Sequence, residues 1–127
     1  MLYLRSMNVA LIVAASLSLI TWAIHTFLGG REVARPLLRS SMKPVPKYTN
    51  YYCWHLVTLT LAAMTAGFAY AALVPAGLDV ALLMTALSAS FCIWSLALVL
   101  WKRRRLLELP QWSLFLLITV AAVIGLV

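Results

Sequence analysis

Acidic side chains are almost missing from this sequence: of 127 residues only three, Glu32, Asp79 and Glu108, carry a carboxylate. Cysteine is scarcer still. Cys53 and Cys92 form no CxxC pair and no disulfide framework. Both lie in apolar runs at depths several helical turns apart, whereas a bridge needs Cα atoms within about 7 Å, so both are expected to be free thiols packed as small residues. A phosphate-binding glycine loop, a catalytic triad and an internal repeat are also missing. No Asp, Glu, Lys or Arg falls in the middle of an apolar run, which speaks against a pump or ion carrier. Without a repeat, an inverted-repeat transporter gains no support. A small oligomeric transporter would have to draw any membrane-embedded charge from histidine, and it ranks last.

What fills the chain instead is apolar: 65% of residues are hydrophobic and 10% charged, where a globular domain is roughly half apolar and about a quarter charged. A small soluble core cannot hide that much apolar surface, so lipid is the expected solvent. The fold class expected is an all-α integral membrane protein, one domain over residues 1–127. Its apolar runs, about 7–28, 51–73, 79–101 and 111–127, read as four transmembrane helices in an antiparallel bundle. Crossing a hydrocarbon core takes about 20 residues, and the fourth run reaches only in a thin bilayer or with little tilt. The first run is too long for a signal-peptide core and has no small-residue cleavage site before Gly29, so it is read as a retained span.

Nine of the ten basic residues occupy two connections. Arg31, Arg35, Arg39, Lys43 and Lys47 fall in a long loop, 29–50, opened by Gly29-Gly30; Lys102, Arg103, Arg104 and Arg105 fall in 102–110. Such a bias makes these loops cytoplasmic and places both termini outside, with Arg5 the one basic residue on that far side. The location expected is a bacterial inner membrane. Basic charge confined to span connections is a topology signal, and nucleic acid is not an expected partner. In the long loop, basic residues every fourth position alternate with apolar ones, as in a segment lying on a membrane surface. Pro36, Pro44 and Pro46 forbid one continuous helix there, so a short helix from Pro36 to Ser41 followed by an extended stretch is expected. All nine basic residues are candidate contacts for anionic headgroups or an acidic partner.

Helices in lipid associate at small residues. Ala63, Gly67 and Ala71, then Ala81, Thr85 and Ala89 with Ser88, Cys92 and Ser95 beside them, then Ala121 and Gly125, provide such stripes for bundle packing or for a homo-oligomer or partner span. Thr58, Thr60, Thr65, Thr85, Ser88, Ser90 and Ser95 are read as bonding their own backbone carbonyls rather than lining a water path.

The polar chemistry collects where the first two spans meet the cytoplasmic face. His25 and His55, the only histidines, are both expected about 5 Å inside that interface. Trp22, Tyr48, Tyr51, Tyr52 and Trp54 surround them, with Glu32 just past the glycines. The favoured reading is an aromatic belt with hydrogen-bonded histidines and Glu32 paired to Arg31 or Arg35. The site reading takes His25, Glu32, Tyr51, Tyr52, Trp54 and His55 as a cluster for a ligand or substrate. It would be a quinone, headgroup or lipid-like pocket, or a b-type haem or transition-metal site ligated by His25 and His55; a structural zinc site would need Glu32 and Cys53 as well. The function expected is that of a non-enzymatic accessory or interaction subunit with no cofactor. A redox or ligand-binding module centred on His25 and His55 is the alternative.

Overall fold

The computed structural model describes residues 7–127, so Arg5 lies outside the described residues. Those residues are helical with short connections and contain no strand. Helix α1 runs Val9–Arg39, α2 Pro44–Leu73, α3 Leu78–Trp101 and α4 Gln111–Leu126, with a 3-10 turn at Pro75–Gly77 between α2 and α3. Helix α1 packs on α2 and α4, α3 packs on α4, and α2 leans more lightly on α3.

Contacts between helix starts and ends set the directions. Asn8, just before α1, donates its backbone N–H to the carbonyl of Ala72 near the end of α2 (3.3 Å). Its side-chain amide donates to the carbonyl of Gly125 near the end of α4 (2.7 Å). Its side-chain oxygen caps α1 by accepting from the N–H of Leu11 at 3.2 Å. One asparagine thereby satisfies groups that helix termini otherwise leave unpaired, and ties three helix ends together. At the middle of the bundle Ser88 donates to the carbonyl of Phe115 (3.2 Å) and Cys92 to that of Trp112 (3.4 Å). Successive helices therefore run antiparallel.

The interior is built from small and weakly polar side chains. Ala14, Ala15 and Ser18 of α1, Ala71 and Ala72 of α2, Ala81, Thr85, Ser88 and Cys92 of α3, and Ala122 of α4 are all buried, around the larger Leu11, Leu61, Met64, Phe68 and Ile118. The outward faces are no less apolar: Leu59, Leu82, Leu83, Ile93, Trp94, Leu117 and Ile124 are exposed. A helix that is apolar all round belongs in an apolar solvent, and close approach at small residues is how such helices hold together. Three helices, Val9–Arg39, Pro44–Leu73 and Pro75–Trp101, are long and apolar enough to cross a membrane. Helix α4 is apolar but has only 16 residues, about 24 Å at 1.5 Å per residue.

The stripes read from spacing take part unequally. Gly67 faces α3, where an added Cβ would lie 2.9 Å from Met84 Cγ, and Gly125 faces α1, where it would lie 2.8 Å from Leu11. Ala63 is exposed. Thr58, Thr60, Thr65, Thr85 and Ser90 each donate to the carbonyl four residues back, as expected; Ser88 instead crosses to α4. Both cysteines are free, but Cys53 is exposed rather than packed.

The largest departure from expectation lies between residues 29 and 50. No long loop exists there: α1 continues through Gly29 and Gly30 to Arg39, and α2 already starts at Pro44. The connection is only residues 40–43. Glycine does not end α1 because Gly29 is seated against Trp54 of α2, where packing overrides propensity, and Gly30 continues the helix beside it. Pro44 and Pro46 do not force an extended stretch because they occupy the first turn of α2, where a missing N–H costs nothing. Pro36 is accommodated by a change of helical register, described below.

Arg103 is the only described non-glycine residue with positive φ (51°). It closes α3: Arg103 N–H bonds to the carbonyl of Leu100 (3.2 Å) and Arg104 N–H to that of Val99 (3.0 Å). This is the paired pattern of a left-handed helix cap, at a position where glycine is usual. Arg103→Gly is therefore expected to raise stability by roughly 0.5–1 kcal/mol, seen as a higher melting temperature in mild detergent. Asn8→Ala, which removes the cap and the Gly125 bond, is expected to lower stability by about 1–2 kcal/mol in the same assay.

Candidate functional site

Helix α1 changes character at Ile24. From Ile24 to Ala34 its turns are π-helical, and the N–H of Arg35 closes the segment by bonding to the carbonyl of Gly30, five residues back. Alpha-helical turns resume over Arg35–Arg39. Pro36 has no N–H to offer, so the ladder must be interrupted at this point whatever the register. Two successive glycines supply backbone freedom just before it. Wide turns of this kind are rare and recur at functional sites.

The same segment marks where the four-helix core ends. Buried residues on α1 stop at Thr21 and return only at Ala34; on α2 they begin at Leu61. Helix α4, running back from Leu11, reaches roughly to the level of Ala23. Past that level, α1 packs chiefly against the start of α2, and the two continue as a hairpin.

Trp54 locks the base of this hairpin. Its ring stacks on the imidazole of His25, with centroids 3.8 Å apart and planes 18° from parallel. Its far edge lies against Gly29, where an added Cβ would come within 2.6 Å of the ring. His25 Nε2 is 3.2 Å from the Trp54 carbonyl and 3.1 Å from Thr58 Oγ1. A carbonyl can only accept, so Nε2 carries the proton and donates to both, while the Thr58 hydroxyl donates to the same carbonyl at 3.2 Å.

Beside the lock a cleft of about 280 Å³ opens between the two helices. Thr26, Phe27, Gly30, Arg31, Ala34, Arg35 and Leu38 form one wall, Tyr51, Trp54, His55 and Thr58 the other. A Cβ added at Gly30 would meet nothing within 4 Å, so this glycine leaves space open. Tyr51 stands edge-on to His55 with centroids 4.6 Å apart.

Of the residues expected to form a cluster, Tyr51, Trp54 and His55 thus share the cleft, and His25 backs it through Trp54. Tyr52 does not join them; it is exposed on a different face of α2, over a shallow hollow with Pro44, Val45, Tyr48 and Thr49. Glu32 is exposed and lies 3.7 Å from Arg31, the surface pairing that was favoured. Arg31 and Arg35 line the cleft, while Arg39, Lys43 and Lys102 to Arg105 are exposed outside it. Lys102 Nζ sits 4.2 Å over the Trp101 ring.

The residue set is thin for a metal. Among the described residues, no three of His, Cys, Asp and Glu converge. The two imidazoles are also differently engaged: His25 lies flat on Trp54 with Nε2 committed to Thr58, and His55 lines the cleft against Tyr51. Axial ligation of a haem would need both rings to turn toward one iron.

Four contributors escaped the sequence reading. Gly29 and Gly30 looked like punctuation, although glycine opposite a tryptophan on a neighbouring apolar helix is also the pattern of close approach. Thr58 is the self-bonded hydroxyl its helical position predicts, but it also accepts from His25. Thr26 left no sequence signal. Its Oγ1 is buried with no hydrogen-bond partner, whereas Ser16, Ser18 and Thr21 on the preceding turns bond to carbonyls four residues back. In the widened register that carbonyl is no longer in the usual place.

Compared with protein-family models, curated proteins and solved structures, the chain matches none.

The two adjacent glycines should respond oppositely to one methyl group. Gly29→Ala drives a Cβ into Trp54 and is expected to cost about 1–3 kcal/mol. Gly30→Ala meets open space and is expected to be neutral or to stabilise by up to about 1 kcal/mol. Thermal melts of both variants in one detergent check the difference; equal effects would mean that Trp54 is not packed as described.

Proposed function

We propose that this chain is a four-span integral protein of a cytoplasmic (inner) membrane, with its basic helix ends toward the cytoplasm. In this reading it is a non-enzymatic interaction subunit whose α1–α2 hairpin engages the anionic face of the bilayer and whatever partner binds there. One observation carries it. The antiparallel packing gathers Arg31, Arg35, Arg39, Lys43, Lys47 and Lys102 to Arg105 at a single end of the bundle, and the hairpin carries the first five past the four-helix core.

Charge of one sign at one end of an apolar bundle supports the orientation, because such clusters stay on the cytoplasmic side during insertion. Asp79 and the Pro75–Gly77 turn lie at the opposite end. Exposed basic side chains near an anionic surface contribute about 1 kcal/mol each, enough together to hold the hairpin against headgroups. Apolar neighbours on the hairpin, Val33, Leu38 and Val45, are exposed as well, as suits a segment at the boundary between headgroups and chains. The non-enzymatic reading rests on the residues present: apart from the buried hydroxyl of Thr26, the described polar groups near the cleft pair with one another or face outward, and none forms a nucleophile–base pair.

Labelling in intact cells tests this. On a Cys53→Ser background, Ser41→Cys in the hairpin tip and Leu107→Cys in the α3–α4 connection are expected to resist a membrane-impermeant maleimide until the cells are opened. Ala76→Cys is expected to react at once. Reaction of positions 41 and 107 from outside would overturn the orientation. A gently solubilised preparation should carry a stoichiometric protein partner; one that is partner-free, with a haem absorbance band or stoichiometric metal, would overturn the interaction role.

A further inference from the structure

The α1–α2 cleft has features that a bare basic surface does not need. Arg31 and Arg35, four residues apart on α1, both line it, and no carboxylate does. Arg31 is tied only to Glu32 across an exposed 3.7 Å contact, a pairing worth little. Arg35 makes no ion pair with any described residue. Planar guanidinium groups are the side chains best matched to phosphate oxygens. His55 and Tyr51 stand opposite on α2 as further donors. Thr26 also lines the cleft, its hydroxyl buried with no hydrogen-bond partner among the described residues. Phe27, Ala34, Leu38 and the Trp54 ring complete the walls with apolar surface. At about 280 Å³ the cleft falls just under the range of about 300–1,000 Å³ that encloses drug-sized ligands. It suits a headgroup whose chains stay outside, among the apolar flanks of the hairpin.

We propose that this cleft binds the phosphate of an anionic lipid, held between Arg31 and Arg35 at the rim and met by the donors Tyr51 and His55 from the facing wall. Gly30 keeps the space open, and the His25–Trp54–Gly29 lock fixes the separation of the two walls. The proposal deepens the membrane-surface reading above and rests on it for the source of the phosphate: a cleft at the headgroup level meets lipid first.

The test uses the whole chain in mild detergent micelles, titrated with phosphatidylglycerol or phosphatidylcholine and read by native mass spectrometry. The wild-type protein is expected to retain one phosphatidylglycerol in preference to phosphatidylcholine. Arg35→Gln is expected to weaken that binding about tenfold. Gly30→Leu, which keeps every charge but fills the cleft, should weaken it at least as much. The double variant Arg39→Gln/Lys43→Gln removes more charge outside the cleft and should change it less than about twofold. Equal weakening by that double variant, or undiminished binding by both Arg35→Gln and a folded Gly30→Leu, would show a diffuse surface attraction and end the proposal. Displacement of phosphatidylglycerol by millimolar inorganic phosphate or glycerol phosphate would show a site for soluble phosphate and end it too. If Gly30→Leu loses its helical circular dichroism, Arg35→Gln against the double variant decides. Micelles have no sidedness, so this measurement and the labelling of positions 41 and 107 fail independently.

Discussion

Everything distinctive about this molecule depends on one aromatic ring seated in a gap. Trp54 fits between the imidazole of His25 and the bare backbone of Gly29, and that fit keeps the first two helices in register beyond the point where the four-helix core has ended. Remove the ring's seat and nothing buried except Ala34 joins the two strands of the hairpin at that height. The hydrogen bonds of His25 to the Trp54 carbonyl and Thr58 are directional where the stacking is not. Together they fix both the distance between the walls and the rotation of one helix against the other. The cleft, the arrangement of its arginines and the reach of the basic end all follow from that fixed geometry.

The pattern of legibility in the sequence has a physical explanation. Helices, their order and their antiparallel sense were readable because hydropathy integrates over some twenty residues and is insensitive to any one of them. The three longest helices and the all-helical fold emerge as expected. The region from Gly29 to Asn50 was misread because Gly-Gly and Pro were weighed as local signals, while the outcome there is set by contacts between helices. Gly29 is a seat for a ring on another helix, which no count of neighbouring residues reveals. Pro44 and Pro46 are ambiguous in the sequence, since the same residues that break a helix also begin one.

The site was half legible for a related reason. Equal depth of His25 and His55 could be argued from helical rise, and both do lie where the first two helices adjoin. Which way each ring turns could not, because a widened helical register shifts every later side chain around the axis. Thr26, Gly30, Arg31 and Arg35, all in or just past that widened stretch, come to one cleft, Glu32 stays at the surface, and His25 stacks on Trp54. Tyr52 differs from Tyr51 by one position, or about 100° of helical rotation, and falls on a different face of α2, outside the cleft.

By fastening three helix ends at one pole, Asn8 makes that pole the stiffest part of the molecule, while the opposite pole is a pair of helices with little buried between them. Local opening is easiest where buried contacts are fewest. The protein is therefore built like tongs, riveted at the end away from its charges and compliant at the tips. A load placed on the hairpin is taken up first at the tips, beyond the His25–Trp54 contact, where buried side chains are fewest.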